Sequence, residues 1–251
     1  VHNEFKTALM GGQTQLGLWS TLCSENTTEI VSGSGFDWIL FDTEHAPIEV
    51  AGLLPLLRAA AATSVNPVVR PAWNDRVLIK KILDLGAPTI LVPYVQSVAE
   101  AKAAVSAAKY PPVGMRGVAG STRASAYGRD IDYLHTANDA VCVLVQLETT
   151  EALTATAHIA ALDGIDGVFI GPSDLAASMG YMGNPGHDKV QQAIRQSLGE
   201  IQSAGKPAGI LAVTEADAQR YLEWGFNFVA VGIDAGLLRK AADLLAQQFS
   251  T

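Results

Sequence analysis

The chain has little to cross-link it and little charge to display. Its 251 residues include two cysteines, Cys23 and Cys142. Cys142 sits inside the apolar run Val141-Cys142-Val143-Leu144-Val145, so it reads as a buried thiol and not as half of a disulfide. Charged residues make up 17%, the net charge is −8, and lysine and arginine form no cluster. A surface of that sign does not suit a phosphate backbone or an anionic bilayer, so neither nucleic acid nor membrane is an expected partner. No apolar run approaches the roughly 18 residues that begin to suggest a spanning helix. The opening Val1-His2-Asn3-Glu4-Phe5-Lys6 has no apolar export region, and the expected location is cytoplasmic.

Other absences are chemical. There is no glycine-rich dinucleotide fingerprint, no nucleophile elbow and no Ser-His-Asp arrangement. No Cys/His cluster suits a structural zinc ion. All eight lysines (Lys6, Lys80, Lys81, Lys102, Lys109, Lys189, Lys206 and Lys240) fall in expected helices or loops. An imine-forming barrel enzyme needs a lysine inside the barrel, so Schiff-base chemistry is disfavoured. No organic cofactor is expected.

What is present is a large supply of apolar residues, 49% of the chain. They gather in short continuous runs near 15–20, 37–42, 66–70, 89–93, 141–147, 167–171, 207–212 and 228–232. Unbroken apolar runs of this length describe strands buried on both faces. Helical stretches alternate with them, near 26–33, 49–62, 74–85, 97–109, 150–161, 187–204, 214–224 and 235–248. Gly33, Gly86, Gly205 and Gly225 mark helix ends, while Asn74-Asp75, Ser97 and Thr214 mark starts. Eight strand-helix units in this length predict one (β/α)8 barrel domain over residues 1–251. One connection, 110–140, is too long for the simple repeat and is expected to be functional or an interface element. It carries Arg116, Arg123, Tyr127 and Arg129.

In such a barrel the chemistry lies at the C-terminal ends of the strands. Glu148 and Asp174 each follow an apolar strand, about one strand-helix unit apart. Either acid alone could as well serve the first turn of a helix. As a pair in adjacent units they suit a hard divalent ion that keeps open positions for substrate oxygens. Phe41-Asp42-Thr43-Glu44-His45 places a histidine beside two acids, where a carboxylate can fix the ring tautomer and make a better base. Arg70 closes Pro67-Val68-Val69-Arg70, either as a core-edge ion pair with Asp42 or Glu44 or as a fixed cation for a developing oxyanion. Gly171-Pro172-Ser173-Asp174 opens a helix and is either a capped turn or a cradle for a carboxylate.

The motifs Gly17-Leu18-Trp19, Phe41-Asp42-Thr43-Glu44-His45-Ala46-Pro47, Val69-Arg70-Pro71, Gly114-Met115-Arg116-Gly117, Gln146-Leu147-Glu148-Thr149 and Phe169-Ile170-Gly171-Pro172-Ser173-Asp174-Leu175 resemble those of the HpcH/HpaI family of metal-dependent pyruvate aldolases, over essentially the whole chain. The resemblance implies that Glu148 and Asp174 hold Mg2+, Mn2+ or Co2+, a Lewis acid for pyruvate. It implies that His45, oriented by Asp42, is the base and that Arg70 stabilises the oxyanion. Gln146 and Ser173, with Gly171 and Pro172, would position pyruvate, and Trp19, Leu211 and Val118 would meet the aldehyde. Asp84 resembles a further family acid that raises the basicity of the histidine. It ends the expected helix 74–85, at the bottom of the barrel, so the expectation is that it completes a neighbouring subunit's site. A homo-oligomer follows; the resemblance implies a hexamer, and the last helix is an apolar candidate for swapping between subunits. Two other readings stay open at this stage: a malyl- or citramalyl-CoA lyase on the same metal-enolate platform, and a non-catalytic barrel that binds a 2-oxo acid.

Overall fold

Burial on both faces turns the eight apolar runs into strands. The computed structural model of the chain describes residues 2–250, so Val1 and Thr251 of the expected domain lie outside the described residues. The strands are β1 (Gln15–Ser20), β2 (Trp38–Asp42), β3 (Asn66–Arg70), β4 (Thr89–Val92), β5 (Cys142–Leu147), β6 (Gly167–Ile170), β7 (Ala208–Leu211) and β8 (Phe228–Ile233). They pair in parallel in chain order, and β1 closes on β8. The protein is a (β/α)8 barrel. The helices are α1 (Glu4–Met10), α2 (Glu25–Ser32), α3 (Leu53–Ala60), α4 (Arg76–Asp84), α5 (Val98–Ala108), α6 (Tyr133–Ala140), α7 (Thr150–Thr154), α8 (Thr156–Ala160), α9 (Pro172–Ser178), α10 (Asp188–Ser203), α11 (Glu215–Trp224) and α12 (Asp234–Phe249). No helix among the described residues is long and apolar enough to cross a membrane.

Several boundaries rest on the signals that the sequence carries. The side chains of Asp75, Ser97 and Thr214 accept backbone N–H groups at the starts of α4, α5 and α11. Gly225 ends α11 in the left-handed conformation that glycine adopts without cost from a Cβ. Gly33 ends α2 with an ordinary negative φ of −81°, so nothing there requires glycine. Helices α1 and α6 were not expected, and α9 was expected only as a helix start at Gly171-Pro172-Ser173-Asp174. Each is short, and each is held by tertiary packing more than by its own pattern.

Two cores share the strands. One lies between strands and helices, and the other fills the barrel with Trp38, Leu40, Val68, Leu91, Leu144, Phe169, Phe228 and Ala230. Helix α1 stoppers the bottom. Phe5 meets Trp38 with ring centroids 5.9 Å apart and Phe228 edge-on at 6.0 Å. The Asn3 amide donates to the carbonyls of Pro88 and Ala140, tying this stopper to the strand bases.

The phase of this interior packing also determines what reaches the top. Alternate residues of a strand share one face. Trp38 and Leu40 fill the barrel, so Asp42 follows them inward at the rim. By the same rule Val68 leads to Arg70, and Cys142 and Leu144 lead to Gln146. Trp38 fits only because Gly17 beside it has no side chain: a Cβ there would stand 2.1 Å from the indole. Gly17→Ala is expected to destabilise the barrel by about 1–3 kcal/mol through overpacking. Its urea midpoint should fall with the slope unchanged; an unchanged midpoint would mean that the indole has room to move.

Candidate metal and substrate site at the barrel mouth

The strand ends enclose a pocket of about 220 Å³. Its lining includes Trp19, Asp42, His45, Arg70, Gln146, Gly171, Pro172, Ser173, Asp174 and Leu211. Thr21, Phe169 and Ile233 complete it and were not singled out from the sequence. Phe169 could have been found, since it precedes Gly171 by one period of the strand. The described lining contains no lysine. A smaller cavity of about 40 Å³ lies at the opposite end, lined by Leu83, Pro88, Tyr133 and Val141 among others, and contains no carboxylate.

Arg70 is the most constrained group. Adjacent register pairs Asp42 with Arg70 across β2 and β3. The guanidinium donates from Nε to Asp42 Oδ1 at 2.9 Å and from Nη2 to Oδ2 at 2.6 Å. Its Nη1 lies 3.0 Å from Glu44 Oε2, and its plane sits over Trp19, 4.8 Å from the ring centroid. The Trp19 indole N–H also donates to Asp42 Oδ2, at 3.2 Å. A guanidinium has five N–H groups. Asp42 takes two of them, and Glu44 Oε2 stands at ion-pair distance without accepting a hydrogen bond, so the remaining N–H groups are free for an anionic ligand. Burial alone would raise the Asp42 carboxyl. The hydrogen bonds and charge of Arg70, helped by the Glu44 N–H and the Trp19 indole, outweigh it and hold Asp42 below its ordinary value.

This geometry corrects one expectation. Asp42 does not orient the His45 ring. Its oxygens are committed to Arg70 and Trp19, and it meets His45 only at the backbone N–H, at 3.4 Å. The carboxylate nearest the ring is Glu44, with Oε1 3.9 Å from His45 Nε2, an electrostatic distance and not a hydrogen bond. The His45 side chain is itself mostly exposed to the pocket mouth.

Glu148 lies just behind the lining. It is buried, yet among the described residues it has no ion pair. The Tyr94 backbone N–H donates to its Oε1 at 2.8 Å, and the Gln146 amide donates to Oε2 at 2.6 Å. Burial pushes the Glu148 carboxyl up to about 7; the bonds from Gln146 and Tyr94 pull it down, and the charges of Glu44 and Asp174 raise it further. Gly171 presses against it, where a Cβ would stand 2.6 Å from Oε2. Asp174 occupies the first turn of α9, which opens at Gly171 with Pro172 in the first position.

These residues fit a divalent cation. A buried carboxylate with no cationic partner, a second carboxylate close by, and a buried Gln146 Oε1 that accepts no hydrogen bond form an all-oxygen donor set. Among the described residues no three His, Cys, Asp or Glu side chains gather tightly enough to hold an ion alone. An ion here would draw further ligands from water or substrate, as an open site requires.

Asp84 is not in this pocket. It ends α4, and its Oδ1 accepts from Arg116 Nη2 at 2.7 Å. Arg116 is fully buried, lies over the Tyr110 ring at 4.4 Å and reaches Tyr133 Oη at 3.1 Å. The long 110–140 connection thus packs on the end of α4, and Arg123 strengthens the junction by donating to the Leu85 carbonyl at 2.8 Å. Val118 on the same segment is exposed and outside this pocket.

Residues 15–241 match the family model described as HpcH/HpaI aldolase/citrate lyase. The chain belongs to this family. It is 54% identical to a 4-hydroxy-2-oxo-heptane-1,7-dioate aldolase of Salmonella arizonae, over 98% of this chain and 94% of that one. A protein of the same description from Klebsiella pneumoniae is 53% identical over 100% of this chain and 95% of its own. Among solved structures, an HpcH/HpaI aldolase/citrate lyase family protein from Burkholderia cenocepacia superposes with a TM-score of 0.96 at 38% identity, covering 98% of both chains.

The contrast between Asp42 and His45 is measurable in this family member. Asp42→Ala strands a buried guanidinium and should cost about 3 kcal/mol of stability. His45→Ala touches an exposed ring and should stay within about 0.5 kcal/mol. Urea unfolding at fixed protein concentration reads both, and equal losses would contradict the assignment of Asp42 to Arg70.

Proposed function

We propose that the chain is a divalent-metal-dependent aldolase that reversibly cleaves 4-hydroxy-2-oxo acids into pyruvate and an aldehyde. The observation that carries this reading is the buried Glu148 carboxylate, paired with no cationic side chain, just behind a pocket lined by Asp174, His45 and Arg70. The 53–54% identity to proteins described as aldolases supports the same class.

Glu148 and Asp174 would hold Mg2+, Mn2+ or Co2+. When bound, such an ion supplies Lewis acidity toward the carboxylate and keto oxygens of the 2-oxo acid. Arg70, fixed by Asp42 and paired with Glu44, offers its remaining N–H groups to oxygen where negative charge grows. Gln146 and the turn Gly171-Pro172-Ser173 position the pyruvate portion. His45 takes the proton from the C4 hydroxyl as the C3–C4 bond breaks, and the electron pair passes to the pyruvate enolate. Trp19 and Leu211 flank the place of the departing aldehyde. No lysine is required, so the mechanism involves no imine.

Asp84 is proposed to act in a neighbouring subunit. In its own chain it lies at the far end of the barrel, held by a buried arginine that gives it a fixed direction. A homo-oligomer, with a hexamer as the specific proposal, also suits α12. Only Asp234 of that helix is buried, while Leu237, Leu238, Leu244, Leu245 and Phe249 are exposed on the isolated chain. A second copy of the chain would cover them, in keeping with a swapped helix.

Two experiments test this reading. EDTA should abolish pyruvate release from a 4-hydroxy-2-oxo acid, and Mg2+, Mn2+ or Co2+ should restore it. Activity that survives EDTA but is lost on borohydride treatment with pyruvate would show an imine and refute the mechanism. Separately, His45→Ala and Asp84→Ala proteins, each inactive alone, should regain activity when their subunits are mixed. No recovery despite demonstrated subunit exchange would refute the shared site.

A further inference from the structure

Tyr94, just beyond β4, is one of the few residues other than glycine with a left-handed backbone, at φ 54°. A bulky side chain disfavours that conformation, so its surroundings must impose it. Its neighbours on both sides are anchored: Pro93 and Val95 are buried, and the Val95 N–H donates to the Gln146 carbonyl at 3.1 Å. The consequence of the turn is specific. It directs the Tyr94 N–H at Glu148 Oε1, at 2.8 Å.

Tyr94 and Trp73 are both exposed, and their rings stack with centroids 5.6 Å apart and planes inclined by 30°. Trp73 belongs to the loop after β3 and lies outside the pocket lining. That loop is itself tied down. The Trp73 carbonyl accepts from the Asp75 N–H at 2.8 Å, and the Asn74 amide donates to the Glu100 carbonyl of α5 at 3.0 Å. Glu100 in turn accepts from the Gln96 N–H, and the Gln96 side chain accepts from Thr149, the residue after Glu148. A rigid loop therefore presents an indole to a strained tyrosine whose amide holds a buried carboxylate.

We propose that Trp73 is a positioning residue for the cation: its stack on Tyr94 keeps the left-handed turn that aims the Tyr94 N–H at Glu148. This rests on the reading of Glu148 as a cation ligand. If the stack is lost, Tyr94 relaxes toward negative φ, its amide turns away, and Glu148 loses one of the two donors that orient it.

The test is Mn2+ binding to the whole protein, read from the electron paramagnetic resonance of free Mn2+, with no substrate present. Trp73→Ala should weaken binding by about 10-fold or more, the loss typical when a partner that orients a ligand is removed. Trp73→Phe, which keeps a stacked ring, should bind as the wild type does. The double variant Trp73→Ala/Tyr94→Gly should recover affinity, because glycine takes the left-handed turn without support. Unchanged binding in Trp73→Ala would overturn the proposal, as would a double variant no tighter than the single one. If Trp73→Ala does not fold, Tyr94→Ala carries the same test, since it removes the ring from the other side and should weaken binding alike. Glu148→Gln separates the two levels: if it binds Mn2+ as tightly as the wild type, the metal reading itself fails, whatever Trp73 does.

Discussion

A carboxylate buried with no cationic side chain governs the mouth of this barrel. Removing Glu148 from water without a counter-charge is unfavourable, and its carboxyl, pushed up to about 7, registers that cost. The surrounding chain is arranged to tolerate it. Gln146 and Tyr94 each donate one hydrogen bond and Gly171 withholds a side chain, whereas Asp174 works against them by adding negative charge where a positive group would relieve the strain. An arrangement that favours stability alone would place an arginine or an apolar residue here. A divalent cation resolves the conflict, which is why the proposed chemistry starts from this residue.

The second fixed charge, Arg70, is treated in the opposite way. It is gripped by Asp42 on one edge, by Glu44 at Nη1 and by the Trp19 ring on its face. A guanidinium so immobilised loses almost no further freedom when it meets an anion, and the developing charge is met by donors already in place. His45 contrasts with both: its side chain is exposed, and its ring stands 3.9 Å from the Glu44 carboxylate, beyond hydrogen-bond reach. The proposed base at the rim, a rigid cation within, and a buried carboxylate beside an exposed one suit a reaction in which the proton leaves near solvent while charge accumulates inside.

Much of this was legible before any coordinates. Continuous apolar runs gave all eight strands to within one residue at either end, because a strand buried on both faces tolerates no polar interruption. The same rule marked where polarity resumes, and so pointed to Asp42, Arg70, Glu148 and Asp174. Helix α1 was missed because it buries just Phe5 and Leu9, too few residues to show a period. Which acid serves which partner was also beyond reach. Asp42, Glu44 and His45 lie within four positions, and only the register of β2 against β3 assigns Asp42 to Arg70. The role of Tyr94 was hidden for a different reason: its contribution is a backbone N–H, and no residue type announces that.

The central claim is that the Glu148 carboxylate exists to hold a cation that makes pyruvate acidic at its methyl group. Proton NMR of pyruvate in D2O, with no aldehyde present, addresses it directly. Chelator-treated protein should leave the methyl signal intact, and added Mg2+ should make it fade as deuterium exchanges in. Glu148→Gln protein with the same Mg2+ should leave it intact again. Exchange by metal-free protein, or by Glu148→Gln at the wild-type rate, would contradict the account.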